Sequence, residues 1–284
     1  MAEPGVAAAA DPQGDRVRPR GAEWLLVAAA LGFAALLLVG PLMALLWGAF
    51  REGVSPFLRE VLNPEALHAL KLTLLLSLAA TAINTILGVC AAYVLVRDEF
   101  PGKRLLNGLL DLPFAVSPVI AGFMLVLLFG RGGWLAPLTE ALGIKVVFAL
   151  PGMLLATVFV SLPFVTRELI PVLEQAGTES ESAAYTIGAS GWTTFWRITL
   201  PAVRWGLLYG ISLTFARALG EFGAVLVVSG SVSGLTETAT LYIYRALDER
   251  NPIGAHAVAV VLALFSFLLL LAMEFFRKKR KRRA

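Results

Sequence analysis

The chain has 284 residues, of which 58% are hydrophobic and 15% charged, with a formal net charge of +4. A soluble domain is on average about 45 to 50% apolar and about 25% charged, so this composition excludes a water-soluble globule and indicates a membrane protein. One cysteine, Cys90, and two histidines far apart in sequence, His68 and His256, exclude an internal disulfide framework and a clustered metal site.

Crossing a bilayer takes about 20 consecutive apolar residues. Six stretches meet that requirement: Trp24 to Phe50, Leu72 to Val96, Leu105 to Phe129, Val146 to Ile170, Trp205 to Ser229 and Gly254 to Phe276. Residues 1–23, rich in Ala, Pro and Gly with Arg16, Arg18 and Arg20, are expected to form a disordered tail. No small-residue cleavage site follows the first apolar run at a suitable place, so that run is expected to be retained as an anchor. Cys90 falls inside the second span and reads as a small core residue. Pro56, Asn63 and Pro64 lie in the first loop, where Asn63 can cap a helix beginning at Pro64. Pro101-Gly102 then breaks the chain in a tight turn.

The third span carries Pro113 and Pro118, which free backbone carbonyls inside a membrane helix. Such a kink can line a path or serve packing alone. Gly130 to Gly133 lacks the Lys-Ser/Thr of a Walker A loop, and Trp134 is placed to sit at the membrane interface.

Between the fourth and fifth spans lies a polar segment, residues 178–201, that cannot cross a bilayer. Glu179, Glu181 and Arg197 would each cost about 2 to 3 kcal/mol at a membrane centre. Thr178 and Glu181 have capping-box spacing, Gly188 can stop the helix they begin, and Ser190 can cap a second helix anchored by Trp192, Phe195, Trp196 and Ile198. Two short helices at the membrane surface are therefore expected, with Pro201 in the first turn of the next span.

In the fifth span, Arg217 and Glu221 stand four residues apart on one helix face, with Gly220 and Gly223 leaving room for close approach. Ionisable groups within a membrane usually face a bundle interior or an aqueous cavity. The pair is a candidate site; equally it reads as a structural ion pair or a snorkelling arginine. Residues 234–251, including Glu237, Tyr242, Arg245 and Glu249, are too polar to span and read either as a docking surface or as a solvated cap. The closing run from Arg277 to Arg283, after a membrane helix, reads as an anchor on anionic lipid rather than a nucleic-acid site. Of the 24 basic residues, sixteen fall on the side of both termini and the 178–201 segment and seven on the other, with Arg217 within a span. The positive-inside rule thus places both termini and that segment in the cytoplasm.

Ala183-Ala184, three residues, Gly188, nine residues, Ile198, one residue and Leu200-Pro201 form a spacing that resembles the "EAA" coupling loop of ATP-binding-cassette importer permeases. The family's glutamate falls on Ser182 here, with Glu181 one residue earlier, and the sequence leaves open which side chain meets the ATPase. Residues 111–118, 130–134, 216–224 and 227–231 are similar to permeases for tetrahedral oxyanions, sulfate and thiosulfate, and more distantly molybdate; the likeness covers most of residues 24–276.

The resemblance implies an all-α polytopic permease of about six transmembrane helices, the type I importer fold, with domain 24–276, a cytoplasmic tail at 1–23 and a basic tail at 277–284. It implies no catalytic chemistry in this chain. ATP and Mg would be bound by two partner ATPase subunits, and the other partners would be a second homologous permease, an extracytoplasmic sulfate-binding protein and membrane lipid, in a bacterial inner membrane. The coupling residues would be Glu181, Ser182, Ala183, Ala184, Gly188, Ile198, Leu200 and Pro201, tilting the fourth and fifth spans. Arg217, Glu221, Pro113 and Pro118 are candidates for the path. Rival readings are a molybdate or tungstate permease, an ion-coupled secondary transporter and a membrane scaffold.

Overall fold

The computed structural model describes residues 21–281. The expected tail over residues 1–20 and the end of the basic run, residues 282–284, lie outside the described residues. Every regular element among the described residues is helical. The chain divides after Leu45 into two units.

The first unit holds most of α1 (Gly21–Phe50), which carries Pro41 within it. It begins at Gly21 rather than Trp24, since Ala22 and Glu23 are good helix formers and extend it.

The second unit opens with the short α2 (Val54–Val61) and then α3 (Pro64–Arg97), a helix of 34 residues. Asn63 caps α3 as expected, its side chain accepting from the Glu65 amide at 3.1 Å, and Pro64 occupies the first position, where a missing N–H costs nothing. α4 (Lys103–Ala115) and α5 (Pro118–Phe129) follow, meeting at 113°. The third expected span is thus broken. Pro118 disfavours helical backbone in the residue before it, and Val116 and Ser117 are accordingly extended, with ψ of 130° and 137°. Pro113, by contrast, is absorbed within α4.

After α6 (Ala136–Ala141) comes α7 (Leu150–Ala176), which starts inside the fourth expected span, at Leu150 rather than Val146, and runs beyond its expected end at Ile170, and then the short α8 (Glu179–Thr186). The next helix corrects the sequence reading twice. It starts at α9 (Gly191–Thr194), passes through a π-helical turn (Phe195–Thr199) and continues as α10 (Leu200–Leu219), so 29 residues form one membrane-length helix. The second half of the 178–201 segment is therefore the start of a span, not a separate surface helix. At its other end the helix stops at Leu219, where the sequence reading carried it to Ser229. Gly220 weakens it, and a new helix, α11 (Gly223–Ser229), starts beyond. α12 (Ala239–Asp248) and α13 (Pro252–Lys281) complete the chain. α13 carries helix into the expected basic tail at 277–284.

Among the described residues five helices are long and apolar enough to cross a membrane, and a sixth crossing results if α4 and α5 count as one. α3 lies along α7, α10 packs on both, and α11 sits against α5 and α7. Close approach depends on small residues, as in membranes generally, where lipid offers no hydrophobic drive between helices. A Cβ on Gly88 of α3 would lie 2.7 Å from Val165 Cβ of α7. Ala92, Val165, Leu169, Leu173 and Val203 pack beside it. Deeper in the same seam, Asn84 is wholly buried and donates to the Val158 carbonyl at 3.0 Å and to Ser161 Oγ at 2.9 Å. Such bonds are worth about 0.6 kcal/mol each, so they orient α3 more than they hold it.

The contact between α5 and α11 is tighter still: a Cβ on Gly122 would meet the Ala224 carbonyl oxygen at 2.5 Å. Gly122→Ala should therefore force α5 off α11 at a cost of about 1 to 3 kcal/mol, seen as a lower melting temperature of the detergent-solubilised protein. Gly108→Ala, with open space around it inside α4, should not lower melting and should raise it slightly, alanine being the better helix former.

Candidate functional site

α8 is held between two glycines in left-handed backbone, Gly177 at φ 64° and Gly188 at φ 87°. The expected capping box does not form. Thr178 makes no side-chain cap, its ψ of -2° being helical rather than the extended backbone of an N-cap, and Glu181 is drawn elsewhere. Its carboxylate accepts from Arg97 Nε at 3.0 Å, from Arg97 Nη2 at 3.2 Å and from Thr199 Oγ1 at 2.8 Å. Arg97 Nη2 also donates to the Gly177 carbonyl at 2.7 Å. Both charged side chains are nearly dry, at 9% and 8% exposure.

This pairing sorts the residues of α8 into two faces. Glu181 and Ala184 turn inward, whereas Ser182, Ala183, Tyr185 and Thr186 face outward. Ile187, at 86% exposed, and Gly188 extend the outward face. The two acidic or polar candidates thus separate: Ser182 is free to meet another molecule and Glu181 is committed within the chain. Ser190 caps the following helix, accepting from the Thr193 amide at 3.3 Å. Phe195 rests edge-on against Tyr93 of α3, while Trp192 and Trp196 remain exposed. Ile198 and Leu200 are half-buried and Pro201 exposed. The π turn is what brings Thr199 round to Glu181.

The second group of candidates gathers at the two helix breaks. Pro118, at the start of α5, abuts Gly223, at the start of α11, where an added Cβ would lie 3.1 Å from the proline. Pro113 is buried within α4. Arg217 reaches Glu221 at 2.8 Å, but in the last turn of α10 rather than deep in a span. Arg217 is 30% exposed while Glu221 is buried. Glu221 also accepts from the Ala224 amide at 3.0 Å, capping α11, and its own carbonyl accepts from Thr240 Oγ1 at 2.7 Å.

Two further charge clusters escaped the sequence reading, which had used their arginines only for topology or surface. Arg167 of α7 clasps α4: Nε donates to Asp111 Oδ1 at 2.6 Å and Nη1 to Asn107 Oδ1 at 2.9 Å. Asn107 and Asp111 are four residues apart on one face, the only signal the sequence offered. Arg245 of α12 gathers the buried Glu237 at 2.6 Å, Glu65 of α3 at 2.7 Å and Glu249 at 2.9 Å, and lies over the Tyr242 ring. The hydrogen bonds that it donates to Glu237 hold the Arg245 guanidinium well above its ordinary value, and burial pushes the Tyr242 hydroxyl up.

A bundle of membrane-length helices, two broken elements meeting inside it and an exposed helix hinged by glycines define a multi-span transport subunit. Residues 84–282 match the family "Binding-protein-dependent transport system inner membrane component", and the chain belongs to that family. It is 47% identical to the "Sulfate transport system permease protein CysW" of Synechocystis sp. (strain ATCC 27184 / PCC 6803 / Kazusa), covering 90% of this chain and 93% of that one. Identity to the CysW protein of Escherichia coli (strain K12) is 42%, over 87% of this chain and 85% of the relative. Its fold is similar to a bacterial transporter solved for "the import of the acidic polysaccharide alginate", with a TM-score of 0.75 at 19% identity, covering 91% of this chain and 96% of that one.

Arg245→Met removes the partner of the buried Glu237 carboxylate. It should cost about 3 kcal/mol and lower the melting temperature, because an unpaired buried charge is left behind. Adding Glu237→Gln to Arg245→Met should recover part of the loss, which differential scanning fluorimetry in detergent would read.

Proposed function

We propose that this chain is a membrane-spanning permease subunit of an ATP-driven sulfate importer, supplying half of the translocation path and coupling to a separate ATPase. What carries the reading is the combination of 47% identity to a sulfate permease over 90% of the chain with an exposed, glycine-hinged α8 that bears the family's loop spacing. In this reading the outward face of α8, Ser182, Ala183, Tyr185 and Ile187, seats on the ATPase, and Gly188 leaves the groove side free of a side chain. Ile198, Leu200 and Pro201 fix the start of α10 behind it. ATP and Mg belong to two ATPase subunits, a second homologous permease completes the path, and a sulfate-binding protein delivers the anion on the far side. Both termini and α8 lie in the cytoplasm, as the excess of basic residues on their side supports.

A sulfate or thiosulfate dianion cannot shed its water in a low-dielectric path without donors or positive charge. Arg217 supplies both at the junction of α10 with α11, close to the break at Pro118. Glu221 offsets part of that charge, so an anion passes without being trapped.

The test is uptake of radiolabelled sulfate into proteoliposomes containing this chain, its partner permease, the ATPase and the binding protein. Uptake that needs ATP, that thiosulfate blocks and molybdate spares, is the expected outcome. Uptake blocked by molybdate instead would assign the path to that anion, and uptake driven by an ion gradient without ATP would overturn the importer reading. Arg217→Gln should cut uptake by about tenfold, the effect of about 1.4 kcal/mol on the path, with assembly unchanged. Ile187→Asp should release the ATPase on co-purification while leaving melting of the permease unaltered.

A further inference from the structure

We infer that Arg97 is a positioning residue for energy coupling: it ties α8 to the end of α3, so that displacement of α8 is delivered to the second membrane helix through space. The inference rests on the reading of α8 as the ATPase seat and names how its motion leaves it.

Two observations on the covalent links point this way. α8 joins α7 through Gly177 and leads to α9 through Gly188, both with positive φ and both with open space where a Cβ would be. Glycine in such a conformation is the most compliant link a chain can have. Force applied to α8 is therefore poorly carried to α7 along the backbone.

The non-covalent link is the stiff one. Arg97 is the last residue of α3, and its planar guanidinium offers two donors, Nε and Nη2, to the two oxygens of Glu181. Bidentate charge-assisted bonds fix orientation as well as distance. The same Nη2 grips the Gly177 carbonyl at 2.7 Å, holding the hinge itself to α3. Thr199 Oγ1, placed by the π turn, donates to Glu181 Oε1 and adds the start of α10 to the joint. Glu181 is the only charged residue of α8 that is buried. π turns inside α-helices are frequent at functional sites, and here the turn has a structural task, aiming Thr199.

From this joint the motion enters a rigid lever. α3 runs 34 residues without a proline beyond its first position and is seated on α7 by Gly88 and Ala92. Motion of α8 is thus delivered first to the second span, with α10 following through Thr199, rather than first to the fourth and fifth spans as the family resemblance implies.

Arg97→Gln, in the full complex reconstituted in proteoliposomes, should still co-purify with the ATPase and hydrolyse ATP. Sulfate carried per ATP should fall by about fivefold or more, and Arg97→Lys, which keeps the charge but not the fork, should fall between. An unchanged ratio of transport to hydrolysis in Arg97→Gln would overturn the inference. A second measurement leaves the joint and the ATPase-facing side chains intact: spin labels on native Cys90, which is exposed rather than the core residue the sequence suggests, and on the exposed Ser180→Cys report α3 to α8, and labels on Ser180→Cys and Gln175→Cys in a Cys90→Ala background report α7 to α8. Through the ATP cycle the first distance should hold. A first distance that changes would overturn the proposal, and with the second unchanged it would show that α8 moves with α7 instead. Loss of ATPase from the unaltered chain would instead bring down the importer reading on which it rests.

Discussion

A charge taken out of water has to be paired, and in this bundle three buried or half-buried groups of charges join segments that the chain keeps apart. Arg97 with Glu181 fastens α8 to α3, Arg167 with Asp111 fastens α4 to α7, and Arg245 with Glu65 and Glu237 fastens α12 and its approach to the head of α3. The desolvation cost of such pairs offsets much of their attraction, so they add little net stability. Their consequence is geometric. A helix that would leave its carboxylate unpaired on moving away cannot move alone, and the pairs decide which elements travel together.

The backbone obeys the same rule. Helix ends within a membrane expose amides and carbonyls that lipid cannot satisfy, so an interruption is tolerated only where protein groups or water meet them. At the start of α11 the Glu221 carboxylate takes the Ala224 amide, and Thr240 takes the Glu221 carbonyl. The break between α4 and α5 sits against this one, Pro118 on Gly223, so that both irregular stretches share one place in the bundle. Arg217 is at that place because α10 ends there. Irregular backbone gathered with an ion pair is how a transport subunit can present polar groups to an ion without exposing them to lipid.

α8 is built on the opposite principle. Most of its residues are exposed and only Glu181 and Ala184 turn inward, which leaves a surface with Ile187 and Tyr185 at its centre that none of the described residues covers. In the coupling proposed above, glycine on both sides permits α8 to shift without straining α7 or α9, while the Arg97 joint keeps that shift from being lost. A compliant covalent frame with a stiff internal tie suits an element with that role.

Much of this was legible from residue order alone, because hydropathy, capping and proline effects act over neighbouring residues. The membrane class, the Asn63 and Ser190 caps, the helix stop before Gly188 and the family spacing from Ala183 to Pro201 are all of that kind. Two boundaries were misplaced where apolar composition outran geometry: Leu105 to Phe129 reads as one span until the extended Ser117 before Pro118 divides it, and Val225 to Val228 looks like membrane helix though Gly220 has already ended α10. Thr178 and Glu181 had the right interval for a capping box, yet Glu181 found a better partner 84 residues away in Arg97. Asp111 and Arg167 are 56 residues apart, Glu65 and Arg245 180 apart. The sequence by itself determined which stretches would be helical and apolar, since those depend on local composition; only the tertiary structure decided which charge meets which, since that depends on where the helices cross.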